Sequence, residues 1–321
     1  MGYFLIILKN QNLINMASVV QRIVKEQLKN ENGSLVKPPS WLPTNVSYET
    51  IMGSMAYGVS SDSSDTDVYG FCIPKKDMIF PHLSGHIQGF GKKPQGFDQW
   101  QEHHINDPSA GKQYDVNIYS IIKYFQLCME NNPNMIDSLF TPQNCVLHIT
   151  PVGNMIRENR KIFLQKGCFF KLKGYAFSQL HKAEIKNPKP GSKRYDQYVK
   201  YNQDNKFLYH VVRLLGECEQ ILTEHDLDLQ RNNEHLKAIR RGEVSFEEVK
   251  NYFSDKERQL EILYNESTLR NTPDEPKIKQ LLIDCLEHHY GSISDAVINV
   301  DQAVIALREI NEVILKNQKL L

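Results

Sequence analysis

The stretch 52–70, MGSMAYGVSSDSSDTDVYG, holds the residues best suited to chemistry. Gly53-Ser54 follows a short strand-like run, and such a turn offers backbone N–H groups and a hydroxyl to a phosphate. Asp65 and Asp67 come next, at alternate positions. On a strand alternate side chains leave the same face, so the two carboxylates converge on one point. Two like charges held that close call for a cation, and oxygen donors favour Mg²⁺ or Mn²⁺. Phosphate-binding amides beside paired carboxylates are the equipment of metal-assisted phosphoryl or nucleotidyl transfer. Two plainer readings compete. Asp-x-Asp is common in solvated polar turns, but here Gly-Ser and the downstream pattern accompany it. A calcium loop would place Asp65, Asp67 and Gly70 at its first, third and sixth positions, yet its twelfth is Lys76 instead of a bidentate Glu.

The same residues resemble the signature of the DNA polymerase β nucleotidyltransferase superfamily: a hydrophobic residue, Gly-Ser, then Asp-x-Asp about a dozen positions on. The longer string GSMAYGVSSDSSDTDVYGFCIP looks most like nucleotidyltransferases of the RlaP or YcgL type, which are associated with RNA repair. Their pattern also has an Asp before a helix and an Asn-Pro-Asn turn, matched by Asp115 and Asn132-Pro133-Asn134. The resemblance covers residues 50–140, and the later RLLGE and AIRRGE segments are compatible with it. It implies that Gly53 and Ser54 hold a nucleoside triphosphate and that Asp65 and Asp67 coordinate two Mg²⁺ ions. Asp115 would be the third carboxylate, sharing one metal and helping to deprotonate the attacking hydroxyl. Glu102 and Asp98 compete with it for that place. Lys206 resembles the helical-domain lysine that contacts triphosphate in related transferases.

These side chains need a scaffold, and the pattern of residues supplies one. Residues 48–52, 65–73, 99–105 and 114–119 read as strands, the last rich in β-formers. Pro74 stops the second. Residues 17–29 place Val19, Val20, Ile23, Val24 and Leu28 at helical spacing. Ser120 caps a helix that follows it, and the Asn-Pro-Asn turn starts another over 135–140. Beyond residue 150 strand signals fade, and helices are expected over 151–182, 195–224, 245–268, 276–290 and 294–318. The expected fold is α+β: a small mixed sheet with flanking helices over 1–150 as the nucleotidyltransferase core, then a mainly helical domain over 151–321 that closes the cleft.

Along the helix expected at 195–224, Lys206, His210, Arg213 and Glu217 fall on one face. They either line the cleft, with Lys206 and His210 as nucleotide-binding residues, or form a solvated face with an Arg213–Glu217 ion pair. Whole-chain charge is balanced, with 38 basic and 38 acidic side chains, which excludes a protein coated in positive charge. The balance is local only. Residues 157–213 carry 14 basic and 4 acidic side chains, a net +10, whereas 217–301 carry 10 and 19, a net −9. The basic stretch interleaves Tyr175, Phe177, Tyr195, Tyr198 and Tyr201, so it suits an RNA or tRNA acceptor, although these aromatics also suit a core.

Six scattered cysteines form no CxxC pair, which points to a reduced, cytoplasmic protein. The apolar run at 1–8 is too short to span a bilayer, so no membrane association is expected. Histidines at 82, 86, 103, 104, 288 and 289 lack a supporting cluster for zinc. The function expected is Mg²⁺-dependent transfer of a nucleoside monophosphate from an NTP to a hydroxyl acceptor, foremost an RNA end. The alternatives are a protein or small-molecule acceptor, or a non-catalytic RNA- or partner-binding module of the same shape.

Overall fold

The computed structural model describes residues 17–60, 66–89, 91, 96–185, 188, 190–191 and 193–291. Asp65, the apolar run at 1–8 and the helix expected at 294–318 lie outside the described residues. Strands β1 (Lys29–Asn30), β2 (Val46–Ile51), β3 (Thr66–Cys72), β4 (Gln99–Asp107), β5 (Lys112–Ser120) and β6 (Val146–Ile149) form one sheet in the order β1-β4-β5-β3-β2-β6. Only β3 and β5 pair in parallel; the other pairings are antiparallel. Successive side chains along β3 and β5 leave opposite faces, and each face of the sheet meets a different partner.

One face presents Val68, Cys72, Val116 and Ile118 to the helix α1 (Val19–Lys25), which buries Val19, Val20 and Ile23 against them. Ser18 and Gln21 form a capping box at its start. Glu49 of β2, fully buried, accepts from the amides of Val19 at 2.6 Å and Val20 at 3.2 Å. The helix is shorter than the 17–29 expected. The chain turns at Gln27, with φ of 51°, and Leu28 enters the core from outside the helix.

The opposite face carries Tyr48 and Phe71 under α2 (Ile121–Met129), where the Phe71 and Tyr124 rings lie 5.0 Å apart. Ser120 caps α2 through the amide of Lys123, and Asn132 caps α3 (Pro133–Phe140), as the sequence suggests. Helices then dominate: α4 (Pro151–Glu158), α5 (Cys168–Ile185), α6 (Lys193–Tyr201), α7 (Asn205–Glu224), α8 (Asn233–Arg240), α9 (Phe246–Glu266) and α10 (Glu275–Tyr290). Central to them is α7, packed by α5, α8 and α9. A continuous apolar cluster runs from Tyr48 and Phe71 through Leu208, Val212 and Leu215 to Leu286. The architecture is therefore α+β.

Two helices expected as single rods are broken. Residues 151–182 divide into α4, a 3₁₀ turn at Arg160–Phe163, and α5. Residues 195–224 divide at Asn202, whose φ is 52°, and Asp204 caps α7 through the amide of Phe207 at 3.3 Å. Polar residues here take the backbone out of the helix and recap it, which apolar periodicity does not register. Among the described residues no helix is long and apolar enough to cross a membrane.

Candidate active site

Asp67 of β3 and Asp115 of β5 are register partners in the central parallel pair. Their side chains leave the sheet on one face, as do Tyr69, Asn117 and Tyr119. Asp115 is held from the next strand: the amide of His104 donates to its Oδ1 at 2.7 Å, and His103 Nδ1 lies 3.5 Å from its Oδ2. That contact exists because β4 is bulged. Its register slips between Glu102 and Ile105, and His104 takes a positive φ of 53°, which re-aims the strand edge at the carboxylate. The competitors stand elsewhere. Glu102 pairs with Val116 and so faces the other side of the sheet, while Asp98 is exposed at the entry to β4.

The Gly-Ser turn lies against the same carboxylates. Gly53 has φ of +66°, and the amide of Met52 donates to the Asp67 carbonyl at 2.8 Å. A Cβ built on Gly53 would fall under 3.0 Å from Asp67 Oδ2, so glycine is what lets the loop pass beneath the carboxylate. The loop closes on itself: Tyr57 N donates to Gly53 O, Gly58 N to Met55 O, and Val59 N to Ser54 O. The amides of Ser54, Met55 and Ala56 donate to no backbone carbonyl among the described residues. Backbone amides of a glycine turn beside two hard oxygen donors suit a metal–triphosphate pair. Among the described residues no set of three or more His, Cys, Asp or Glu side chains gathers as a metal site.

Helix α7 packs against the loop through Arg213, whose guanidinium lies over the Tyr57 ring. Lys206 is exposed, and His210 is half-buried with its ring 4.1 Å from that of Tyr209. Tyr209 sits deep enough that burial raises its phenol pKa, with the charges of Asp67 and Glu217 adding to the rise and Arg213 and Arg240 opposing it. The N-terminal part of α7 thus lies within the electrostatic field of Asp67. Arg213 and Glu217 form the expected ion pair at 2.6 Å, but it is buried instead of solvated. Arg213 also pairs with Asp137 of α3 at 2.7 Å, and its guanidinium lies 4.1 Å from the centre of the Tyr57 ring. The Tyr57 hydroxyl donates to the same Asp137 oxygen at 2.9 Å. Burial lifts the Glu217 carboxyl to about 8 against the pull of Arg213, and raises that of Asp137 as well.

The basic stretch is partly spent on internal contacts. Arg157 donates to the Tyr48 hydroxyl and the Thr141 carbonyl, Lys161 pairs with Asp226, and Lys173 pairs with Glu257. Lys171, Lys182, Lys200 and Lys206 are exposed. Of its aromatics, Phe177 and Tyr175 are exposed on α5, with the His181 ring parallel to that of Phe177 at 6.4 Å.

Sequence reasoning missed the residues that grip the loop from the far side. Gln230, Asn233 and Arg240 come from the segment ending in α8, where only Leu236 and Ile239 are buried and no apolar stripe advertises a role. Gln230 Nε2 donates to Ala56 O at 3.2 Å, and Arg240 Nη1 donates to Val59 O. The AIRRGE string around Arg240 was the available signal.

Residues 20–284 match the family described as RlaP, the RNA repair pathway DNA polymerase beta family. The chain belongs to this family. It is accordingly a nucleotidyltransferase of the DNA polymerase β type, a family that in general works on NTPs with divalent metals. None of the curated proteins compared matches the chain. Among solved structures, a nucleotidyltransferase-like protein from Exiguobacterium sibiricum shares 8% identity, with 76% of this chain and 74% of that one covered and a TM-score of 0.25, too slight a likeness to bear on the fold.

Proposed function

We propose that this family member transfers a nucleoside monophosphate from an NTP to the terminal hydroxyl of an RNA, with Mg²⁺ as the metal. The observation that carries the reading is the register pairing of Asp67 with Asp115 beside the Gly53 loop. Asp65, Asp67 and Asp115 would hold the metal, and Gly53 and Ser54 the triphosphate, with Lys206 and His210 of α7 as further nucleotide contacts. Bound Mg²⁺ would neutralise triphosphate charge and acidify the attacking hydroxyl. The acceptor oxygen attacks the α-phosphorus, the bond to the β-phosphate bridge breaks, and pyrophosphate leaves. Asp115, oriented by the His104 amide, is placed in this reading to take the hydroxyl proton. Exposed lysines within 157–213 would contact the acceptor backbone.

The test supplies labelled NTPs, Mg²⁺ and a mixed RNA pool, and compares the protein with Asp67→Asn and Asp115→Asn. Label should enter RNA, and each substitution should lower transfer by about a thousandfold, the scale expected for removing a charge that acts only in the transition state. Label on protein or on a small molecule would replace the RNA acceptor. RNA binding with no turnover, indifferent to both substitutions, would leave a binding module.

A further inference from the structure

We propose that Gln230 and Arg240 are positioning residues that clamp the 53–59 loop from the helical half of the chain and so set its affinity for nucleotide; this rests on the nucleotidyl-transfer reading above. The loop has seven residues and five carbonyls with assigned roles. Three accept from the loop's own amides, those of Gly53, Ser54 and Met55. The two others, Ala56 and Val59, accept from Gln230 Nε2 and Arg240 Nη1. Gln230 Nε2 also lies 3.5 Å from Met55 O. Held at these carbonyls, the loop keeps the turn that sets Gly53 against the Asp67 carboxylate. Through its longer contact to the Met55 carbonyl, Gln230 also polarises the peptide that carries the Ala56 amide, making that amide a better donor to an anion.

The clamp is itself braced. The amide of Gln230 donates to Asp228 Oδ1 at 2.9 Å, and Asp228 exchanges backbone bonds with the Gln220 side chain of α7 at 3.0 and 3.2 Å. Gly58, with φ of +66°, leaves room for the Asn233 and Gln230 side chains, which an added Cβ would meet at 3.1 and 3.4 Å. Arg240 lies 5.5 Å from the Tyr209 ring centre, and its carbonyl accepts from Asn205 at the start of α7. Gln230 gives its side-chain amide to the loop carbonyls, and Arg240 divides its guanidinium between the Val59 carbonyl and the face of Tyr209.

The decisive variant is Gln230→Glu, which keeps the shape, removes the donor and sets a negative charge against the Ala56 carbonyl. Arg240→Lys keeps a charge and one donor, and serves as the conservative partner to Arg240→Ala. Three readouts are taken on the full chain: steady-state kinetics in NTP, hydrogen exchange of the 53–59 peptide, and urea unfolding. Gln230→Glu and Arg240→Ala should raise KM for NTP about tenfold, with a smaller fall in kcat, and Arg240→Lys should recover most of the loss. Exchange at the Gly58 and Val59 amides should quicken about tenfold while β2 and β3 keep their protection. Unchanged KM with unchanged exchange, or a loss spread evenly over β2, β3 and the loop, would overturn the clamp. If the parent protein turns over no NTP, the transfer reading falls, and the exchange pattern alone still decides whether the loop is clamped.

Discussion

Replacing Gly53 with alanine separates the two things that glycine does. The first is conformational: φ of +66° costs an L-residue about 1–2 kcal/mol. The second is steric. The new Cβ would lie under 3.0 Å from Asp67 Oδ2 and 3.4 Å from its Cγ, so the carboxylate must retreat by roughly 1 Å, the scale at which misplaced groups cost about a hundredfold in rate. Because the clashing atom is the end of a side chain, the fold relaxes cheaply and the site does not. Urea unfolding of Gly53→Ala should therefore show a loss of only about 1–2 kcal/mol, while kcat falls about a hundredfold, equivalent to about 2.7 kcal/mol of transition-state stabilisation. Gly58→Ala is the matched control. It has the same φ, but its Cβ meets Asn233 and Gln230 and not Asp67. It should cost similar stability and act mainly on KM for NTP. Equal kinetic effects of the two variants, or a Gly53→Ala enzyme within about threefold of the parent, would refute the argument that Gly53 exists to admit the Asp67 carboxylate.

Two further expectations concern charge. Glu49 holds its proton to about pH 7 in the fold because burial outweighs the two helix amides it accepts, against 4.5 as its ordinary value. The folded state therefore binds more protons between those values, and its stability should fall by about 3 kcal/mol at most as pH rises from 4.5 to 7. Urea midpoints at several pH values check this, and a Glu49→Gln protein with an undiminished slope would contradict it. For RNA, the exposed Lys171, Lys182 and Lys200 set the scale. Three phosphate contacts on a single strand give a slope of about −2 in log affinity against log salt, and a slope near zero by fluorescence anisotropy would remove this surface from the acceptor path.

The parts of the site legible in the sequence are those with short-range causes. Asp67 stood out through its alternation with Asp65 and Asp115 through the family resemblance, while the register that sets Asp67 beside Asp115 appears only with the strands paired. Ser120 and Asn132 announced their helices because capping is local. The β4 bulge was not legible: His103 and His104 lie in a polar run where neither alternation nor turn residues mark a slipped register. Arg213 and Glu217 were visible as a four-residue pair, but their burial was not, since the third member, Asp137, is 76 residues away from Arg213. Gln230 and Arg240 were invisible for the same reason, because their partners are loop carbonyls more than 170 residues distant.

The buried Asp137–Arg213–Glu217 group makes little sense as a source of stability. Two carboxylates share one guanidinium, all three are shut away from water, and well-packed apolar residues in such places are often as stable or more so. Burial pushes both carboxyls towards the neutral form while the Arg213 guanidinium pulls them back, so the charges here cost desolvation that an apolar core would not. What an apolar replacement could not supply is the hold on Tyr57, whose hydroxyl donates to Asp137 and whose ring lies under the Arg213 guanidinium. Tyr57 is in the middle of the 53–59 loop. Its floor therefore comes from α3 and α7, its carbonyl clamp from Gln230 and Arg240, and only its first residue is set by the sheet. The two carboxylates are products of strand pairing, but the loop beside them takes its shape from the helical half of the chain. If the loop holds nucleotide as proposed, changes there, far from Asp67 in sequence, should act on KM for NTP through the loop.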